Sequence, residues 1–147
     1  MKRVLFIAIP AVVVVVVVLV FAWLVPYVKE KGIRRNESCA IKALRAISSS
    51  QEHYNTKEKS YTSLARLADY KYISRDIANA DALEKAYEGY WFECVHDSYN
   101  WWCCTARPVV PGETGRRFFR ITTAGVIYYN TDGSDYYPPR FEGAPRK

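Results

Sequence analysis

The chain has 147 residues, half of them apolar, and a formal net charge of +6. This length is that of one domain. Without Lys2 and Arg3 the net charge falls from +6 to +4, and the other charges are interspersed, with no basic run longer than a pair. Nucleic-acid binding needs a concentrated basic face. We therefore expect a solvated surface of mixed charge and no nucleic-acid partner.

An uncharged apolar run opens the chain. It contains 22 consecutive residues without a charge, from Val4 to Val25. As a helix it would be roughly 33 Å long, enough to cross the hydrocarbon core of a bilayer. Phe21, Trp23 and Tyr27 lie near its end, as aromatic residues do at a membrane interface. Residues 1–28 are thus predicted to be a retained membrane anchor.

Two alternatives to a retained anchor remain open, a cleaved signal peptide and a buried helix of a soluble protein. A secretory apolar region is about 7 to 15 residues long and ends in small residues at a cleavage site. This run is longer, and it ends in Ala22, Trp23, Leu24, Val25 and Pro26 without that pattern. The run therefore favours the anchor.

Charge and cysteine content disagree about the orientation of this anchor. Basic residues follow the run more densely than they precede it, at Lys29, Lys31, Arg34 and Arg35 against Lys2 and Arg3. By the positive-inside rule this favours a cytoplasmic C-terminal domain. An even number of cysteines in a small domain suits an oxidising compartment. We predict a single-pass inner-membrane protein whose C-terminal domain is periplasmic or extracellular.

Helical periodicity continues beyond the apolar run. Apolar residues recur at spacings of three, four and seven, at Ile33, Cys39 or Ala40, Ile41, Leu44, Ile47 and Tyr54. The spacing predicts an amphipathic helix that continues to residues 51–54, with Pro26 and Gly32 as places where it could bend. Residues 61–73 predict a short helix with Leu64, Leu67 and Ile73 inward and Thr62 or Ser63 as its cap.

The period changes to two after residue 89. Residues 89–97 and 101–109 alternate around a turn-rich segment and predict a hairpin, and residues 116–122 and 125–131 predict two further strands. One long helix, a short helix and about four antiparallel strands give an α+β fold in which the helix packs on the sheet. The globular domain is predicted to cover residues 29–138, followed by a basic tail at 139–147.

Several segments, in this order, resemble type IV pilins and the pseudopilins of type II secretion systems. They are NESCAIKALRAISSSQEHY at 36–54, YTSLARLADYKYI at 61–73, GYWF at 89–92, ARPVVPGETGRRFF at 106–119 and TAGVIYY at 123–129. Pro26 lies eleven residues before Glu37, a spacing that these pilins also show. The resemblance covers about residues 26–138.

The resemblance implies a pilin-like fold and a non-enzymatic role. The chain would be a minor or accessory component of a type IV pilus or type II secretion assembly, with the membrane and other pilin-like subunits or assembly proteins as partners. Pro10, Phe21, Trp23, Pro26 and Tyr27 would belong to the stem that contacts the membrane or neighbouring subunits. A membrane-anchored pilin fold that does not polymerise, and binds or senses a ligand instead, is the alternative.

The N-terminus departs from the pilin pattern. Pilin precursors carry a Gly at the cleavage site of the prepilin peptidase and a Glu at the fifth mature position. Alignment on Pro26 places Val4 and Ile9 at these two positions. The Glu is thought to pair with the amino terminus of a neighbouring subunit, and such a pair is strong only in a low-dielectric fibre core.

The cysteines are the first candidate site. On an alternating hairpin, Cys94 and Cys104 would face the helix, whereas Cys103 would face outward. This favours a Cys94–Cys104 disulfide, with Cys39 pairing from the helix as a second bridge. Unpaired buried thiols, a zinc site that adds His96 and a small thiol or metal enzyme remain the alternatives.

Two further candidates are a cation site and a catalytic site. Asn130, Asp132 and Asp135 carry oxygen ligands for calcium, but their segment is too short for an EF-hand and lacks its closing Glu. A plain Asp-Gly turn is the simpler interpretation. The chain has only two histidines, His53 and His96, and no nucleophile or phosphate-loop motif. We therefore expect no catalytic residues and no cofactor.

Overall fold

The computed structural model describes residues 2–97 and 99–134, with side chains from residue 13 onward. One helix, α1, runs from Lys2 to Glu58 without interruption. It ends slightly beyond the predicted limit. The chain divides into two compact units, and the boundary in the sequence lies between Gly32 and Ile33.

The first unit consists of the opening part of α1. Its side chains from Val13 to Lys29 are exposed, and the helix includes a window of 18 residues with a mean hydropathy of 2.2. This helix is long and apolar enough to cross a membrane. Its length and composition agree with the anchor prediction.

The second unit is an α+β domain. After α1 come α2 (Leu64–Asp69), α3 (Arg75–Asn79) and a single 3₁₀ turn (Leu83–Lys85). Four strands follow: β1 (Tyr90–Asp97), β2 (Trp101–Pro108), β3 (Phe118–Thr122) and β4 (Ile127–Asn130). They form one antiparallel sheet in the order β1-β2-β3-β4, in which each strand pairs with the next. The predicted layout of helix and sheet is confirmed.

One apolar core joins the second part of α1 to one face of this sheet. From α1 it receives residues of the predicted stripe, among them Ala40, Leu44 and Ile47, which are almost completely buried. Ala40, and not Cys39, is the buried member of the stripe. From the sheet it receives the alternate residues of the strands, which include Tyr90, Phe92, Trp102, Cys104, Ala106, Phe119 and Ile121. Burial of these side chains is the main force that holds the helix on the sheet.

The turn into α2 is fixed by a buried glutamine. The Gln51 side-chain amide donates to the Thr62 carbonyl at 2.6 Å, and its oxygen accepts from the Thr62 N–H at 3.1 Å. Helix α2 then begins with Ser63 as its N-cap, since the Ser63 hydroxyl accepts from the N–H of Arg66. The helix is shorter than predicted, because the chain leaves it at Tyr70 through a left-handed Lys71 with φ of 59°.

Candidate functional site

The apolar surface of α1 is the largest exposed hydrophobic feature in the described part of the chain. Phe21, Trp23 and Tyr27 are 61%, 73% and 58% exposed, and the rings of Trp23 and Tyr27 are stacked at 6.0 Å. Pro26 lies inside the helix without ending it. Pro10 is also within α1, in a part where side chains lie outside the described residues. An exposed apolar surface of this size is typical of segments that contact a lipid bilayer or other helices.

The cysteine pair lies on the first hairpin. Cys94 on β1 and Cys104 on β2 are directly opposite each other and form a disulfide, with Cα atoms 4.0 Å apart. The neighbouring inward positions, such as Phe92 and Trp102, are buried in the core. The bridge therefore joins two strands on the face that packs against α1. Both sulfurs are used in this bond, so neither is a thiolate ligand for zinc.

The other two cysteines are free thiols, and no second bridge joins them. Cys39 is half-buried on α1. Cys103 is on the sheet face opposite Cys104, as alternation requires, but it is 4% exposed rather than open to solvent. Strand β2 is an inner strand, and Arg120 of β3 donates from Nε to the Cys103 sulfur at 3.0 Å. Cys103 therefore lies on the predicted face of the sheet, away from the core, and neighbouring side chains such as Arg120 cover it.

The acidic segment after β4 folds as a turn. The Asn130 side-chain oxygen accepts from the Gly133 N–H, and its amide donates to the Ser134 carbonyl at 2.8 Å. One Asp132 oxygen accepts from the Ser134 N–H, and this hydrogen bond lowers the pKa of Asp132. Asp135 lies outside the described residues. The oxygens proposed for calcium are therefore used, at least in part, to close the turn itself.

The histidines are apart from one another. His96 is exposed on β1, and His53 is exposed on α1, where its ring meets the edge of Tyr72 at 4.7 Å. Among the residues described, no three His, Cys, Asp or Glu side chains come close enough to hold a metal ion.

A buried carboxylate connects α1 to the loop between β2 and β3. Glu37 is 6% exposed, and its Oε1 accepts the backbone N–H groups of Arg116 and Arg117 at 3.0 and 3.2 Å. Its Oε2 accepts from Arg117 Nε at 2.9 Å. The same guanidinium lies over the rings of Phe119 and Tyr129, at 5.0 and 5.2 Å. A buried carboxylate requires such partners, because an unpaired charge is strongly unfavourable in the interior.

Neighbouring residues extend this connection. The Asn36 side-chain amide donates to the Thr114 carbonyl at 2.9 Å, and the Tyr90 hydroxyl donates to the Arg117 carbonyl at 2.8 Å. Burial raises the pKa of Tyr90 well above its usual range, and the Glu37 carboxylate adds to this effect. Gly115 packs directly on the Tyr90 ring, since a Cβ at this position would lie 2.0 Å from the hydroxyl oxygen. We call Asn36, Glu37, Tyr90, Gly115 and Arg117 the helix–loop clamp.

Sequence reasoning did not find this clamp as a site. Its members are far apart in the chain, since Glu37 and Arg117 are 80 positions apart. The signal was nevertheless present. Glu37 is one helical turn from both Ile33 and Ile41, so it lies on the apolar face of α1, and a carboxylate on a buried face predicts a cationic partner elsewhere. The clamp residues come from three segments of the chain, 36–54, 89–92 and 106–119.

Comparison with known proteins gives no assignment. No family model matches the chain, and no curated protein is significantly similar to it in sequence.

Proposed function

We propose that the protein is a membrane-anchored, pilin-like structural component of the cell envelope, a minor or accessory subunit of a type IV pilus or type II secretion assembly. One observation carries the proposal. A single helix presents exposed, uncharged side chains from Val13 to Val28 and, further along, packs an apolar stripe into the core of a small antiparallel sheet domain. Such a helix both anchors the domain and offers a surface for packing against other helices.

The anchor holds the protein in the inner membrane by a single pass, with the α+β domain in the periplasm or outside the cell. The Cys94–Cys104 disulfide supports this orientation, because disulfides persist in oxidising compartments and are rare in the cytosol. Without the usual processing glycine and the glutamate, apolar contacts between membrane helices would hold the subunit to its partners.

Cross-linking from the apolar helix tests this role. A photo-reactive amino acid at Val17, which is 46% exposed, should give discrete adducts with pilin-like subunits or assembly proteins in the native membrane. The same amino acid at exposed Tyr99 of the α+β domain is the matched control and should not give the same adducts. If Val17 cross-links to lipid alone, the protein is anchored without assembling, and the alternative of a non-polymerising binding or sensing domain is favoured.

The orientation has its own test. Protease added to spheroplasts should digest the α+β domain if that domain lies outside the inner membrane. Protection until the membrane is opened would place the domain in the cytoplasm and overturn the proposed localisation.

A further inference from the structure

A pocket of about 280 Å³ lies beside the helix–loop clamp, where α1 and the loop residue Arg117 both contribute to its lining. Its lining is mostly cationic and comprises Arg34, Ser38, Lys42, Arg45, Arg117, Glu37 and Ile41. The α1 residues among them follow a spacing of three and four along the chain, which places them on one face of the helix. The pocket belongs entirely to the α+β domain.

Two cations of this pocket, Lys42 and Arg45, have no carboxylate of their own in its lining. The one carboxylate of the lining, Glu37, is paired with Arg117, and both of its oxygens already accept hydrogen bonds from the loop. Within the described part of the chain, Lys42 and Arg45 are exposed and form no ion pair. Like charges three or four residues apart on a helix, such as those of Lys42 and Arg45, repel each other and destabilise the helix. An anion in the pocket would convert this repulsion into attraction.

We propose that this pocket binds a phosphoryl group, supplied by a phospholipid headgroup or by a soluble phosphate-bearing molecule. Guanidinium groups present N–H donors in a fork that matches phosphate oxygens. Arg34 and Arg45 approach from α1, whereas Arg117 comes from the loop and is held in place by Glu37. Lys42 adds a point charge and Ser38 a hydroxyl donor. Donors from two separate elements thus converge on one volume.

The site is independent of assembly into a filament, so the isolated protein can test it. The full-length chain is purified in maltoside micelles, which carry neither charge nor phosphate, and is titrated with pyrophosphate by calorimetry at low ionic strength. We expect saturable binding at one site. The double variant Lys42→Gln/Arg45→Gln should bind roughly tenfold more weakly or worse, as expected for the loss of charge-assisted hydrogen bonds.

A matched control removes the same charge elsewhere. Lys59 and Lys71 are exposed and lie outside the pocket, so Lys59→Gln/Lys71→Gln should bind pyrophosphate as the wild type does. Circular dichroism and urea unfolding of each variant verify that the fold is retained. An equal loss of pyrophosphate affinity in both double variants would mean that net charge alone attracts the anion, and this result overturns the proposal.

A lipid arm distinguishes the two sources of phosphate. Phosphatidylglycerol added to the micelles should compete with pyrophosphate if the ligand is a headgroup, whereas oleate at the same charge density should not. If phosphatidylglycerol has no more effect than oleate, the ligand is a soluble phosphate compound. The proposal fails if neither pyrophosphate nor phosphatidylglycerol distinguishes the wild type from Lys42→Gln/Arg45→Gln.

Discussion

Replacement of Glu37 by glutamine tests the helix–loop clamp. The substitution keeps an oxygen that can accept the N–H groups of Arg116 and Arg117, but it removes the charge that faces the Arg117 guanidinium. That guanidinium is only 19% exposed, so water replaces little of the lost interaction. Removal of one partner of a buried ion pair costs about 3–5 kcal/mol. Because glutamine keeps part of the hydrogen bonding, we expect a loss of about 2–3 kcal/mol in the free energy of unfolding.

Glu88→Gln is the matched control. Glu88 also pairs with an arginine, Arg35, but at 3.5 Å and with side chains that are 36% and 71% exposed. Exposed pairs of this kind contribute about 0.2–1 kcal/mol, so this substitution should change stability little.

Urea unfolding of the full-length protein in uncharged micelles measures the free energy of unfolding of both variants and of the wild type. Urea does not screen ion pairs, and the buried Trp102 provides a fluorescence signal for the loss of the core. The reasoning is refuted if Glu37→Gln destabilises the protein no more than Glu88→Gln does.

Three other substitutions test separate parts of the structure. Gly115→Ala should destabilise the domain by more than about 2 kcal/mol in urea unfolding, because the new Cβ would overlap the Tyr90 hydroxyl. Gly32→Ala, on an open helix surface, is the control and should be neutral or stabilising by up to about 1 kcal/mol. Similar effects of the two substitutions would contradict the close packing of Gly115 on Tyr90. Tyr90→Phe should lower stability near neutral pH by about 1 kcal/mol through the lost hydrogen bond. The pKa of Tyr90 is raised in the folded state, so the contribution of its hydroxyl to stability is fully present below pH 10, the ordinary pKa of tyrosine, and is lost as the pH rises further. The difference in free energy of unfolding between Tyr90→Phe and the wild type should therefore shrink above pH 10. A difference that stays constant would be inconsistent with this titration. Lys71→Gly should raise the urea midpoint and stabilise the domain by about 0.5–1 kcal/mol. Lys71 has the left-handed conformation that favours glycine after α2, where the Lys71 and Tyr72 N–H groups donate to the carbonyls of Ala68 and Leu67. No gain in stability would refute this account of the helix end.

The sequence predicts the local elements well, since each leaves a periodic pattern. The spacing of Leu44 and Ile47 identifies the inward face of α1, and the alternation around Cys94 and Cys104 identifies the hairpin and its inner face. These patterns depend on interactions within a few turns or one strand pair, so they are readable without a structure.

Other features depend on contacts that no local pattern encodes. The partner of Glu37 could not be chosen from among the arginines, because it is set by where the β2–β3 loop meets α1. The burial of Cys103 depends on its position in an inner strand and on the reach of Arg120 from the next strand. The alternation of side chains along a strand predicts on which face of the sheet a residue lies, but it does not predict which other residues cover that face.

The N-terminus of the protein extracted from native membranes tests the central claim, that the apolar run is retained as an anchor. Intact-mass measurement and N-terminal sequencing of this material should find the run complete and the chain beginning at Met1. A start near Leu5 would also keep the run and would mean cleavage at a non-standard prepilin site. A protein that begins after Ala22 would contradict the account, because it would have lost the only described helix that is apolar enough to hold it in the membrane.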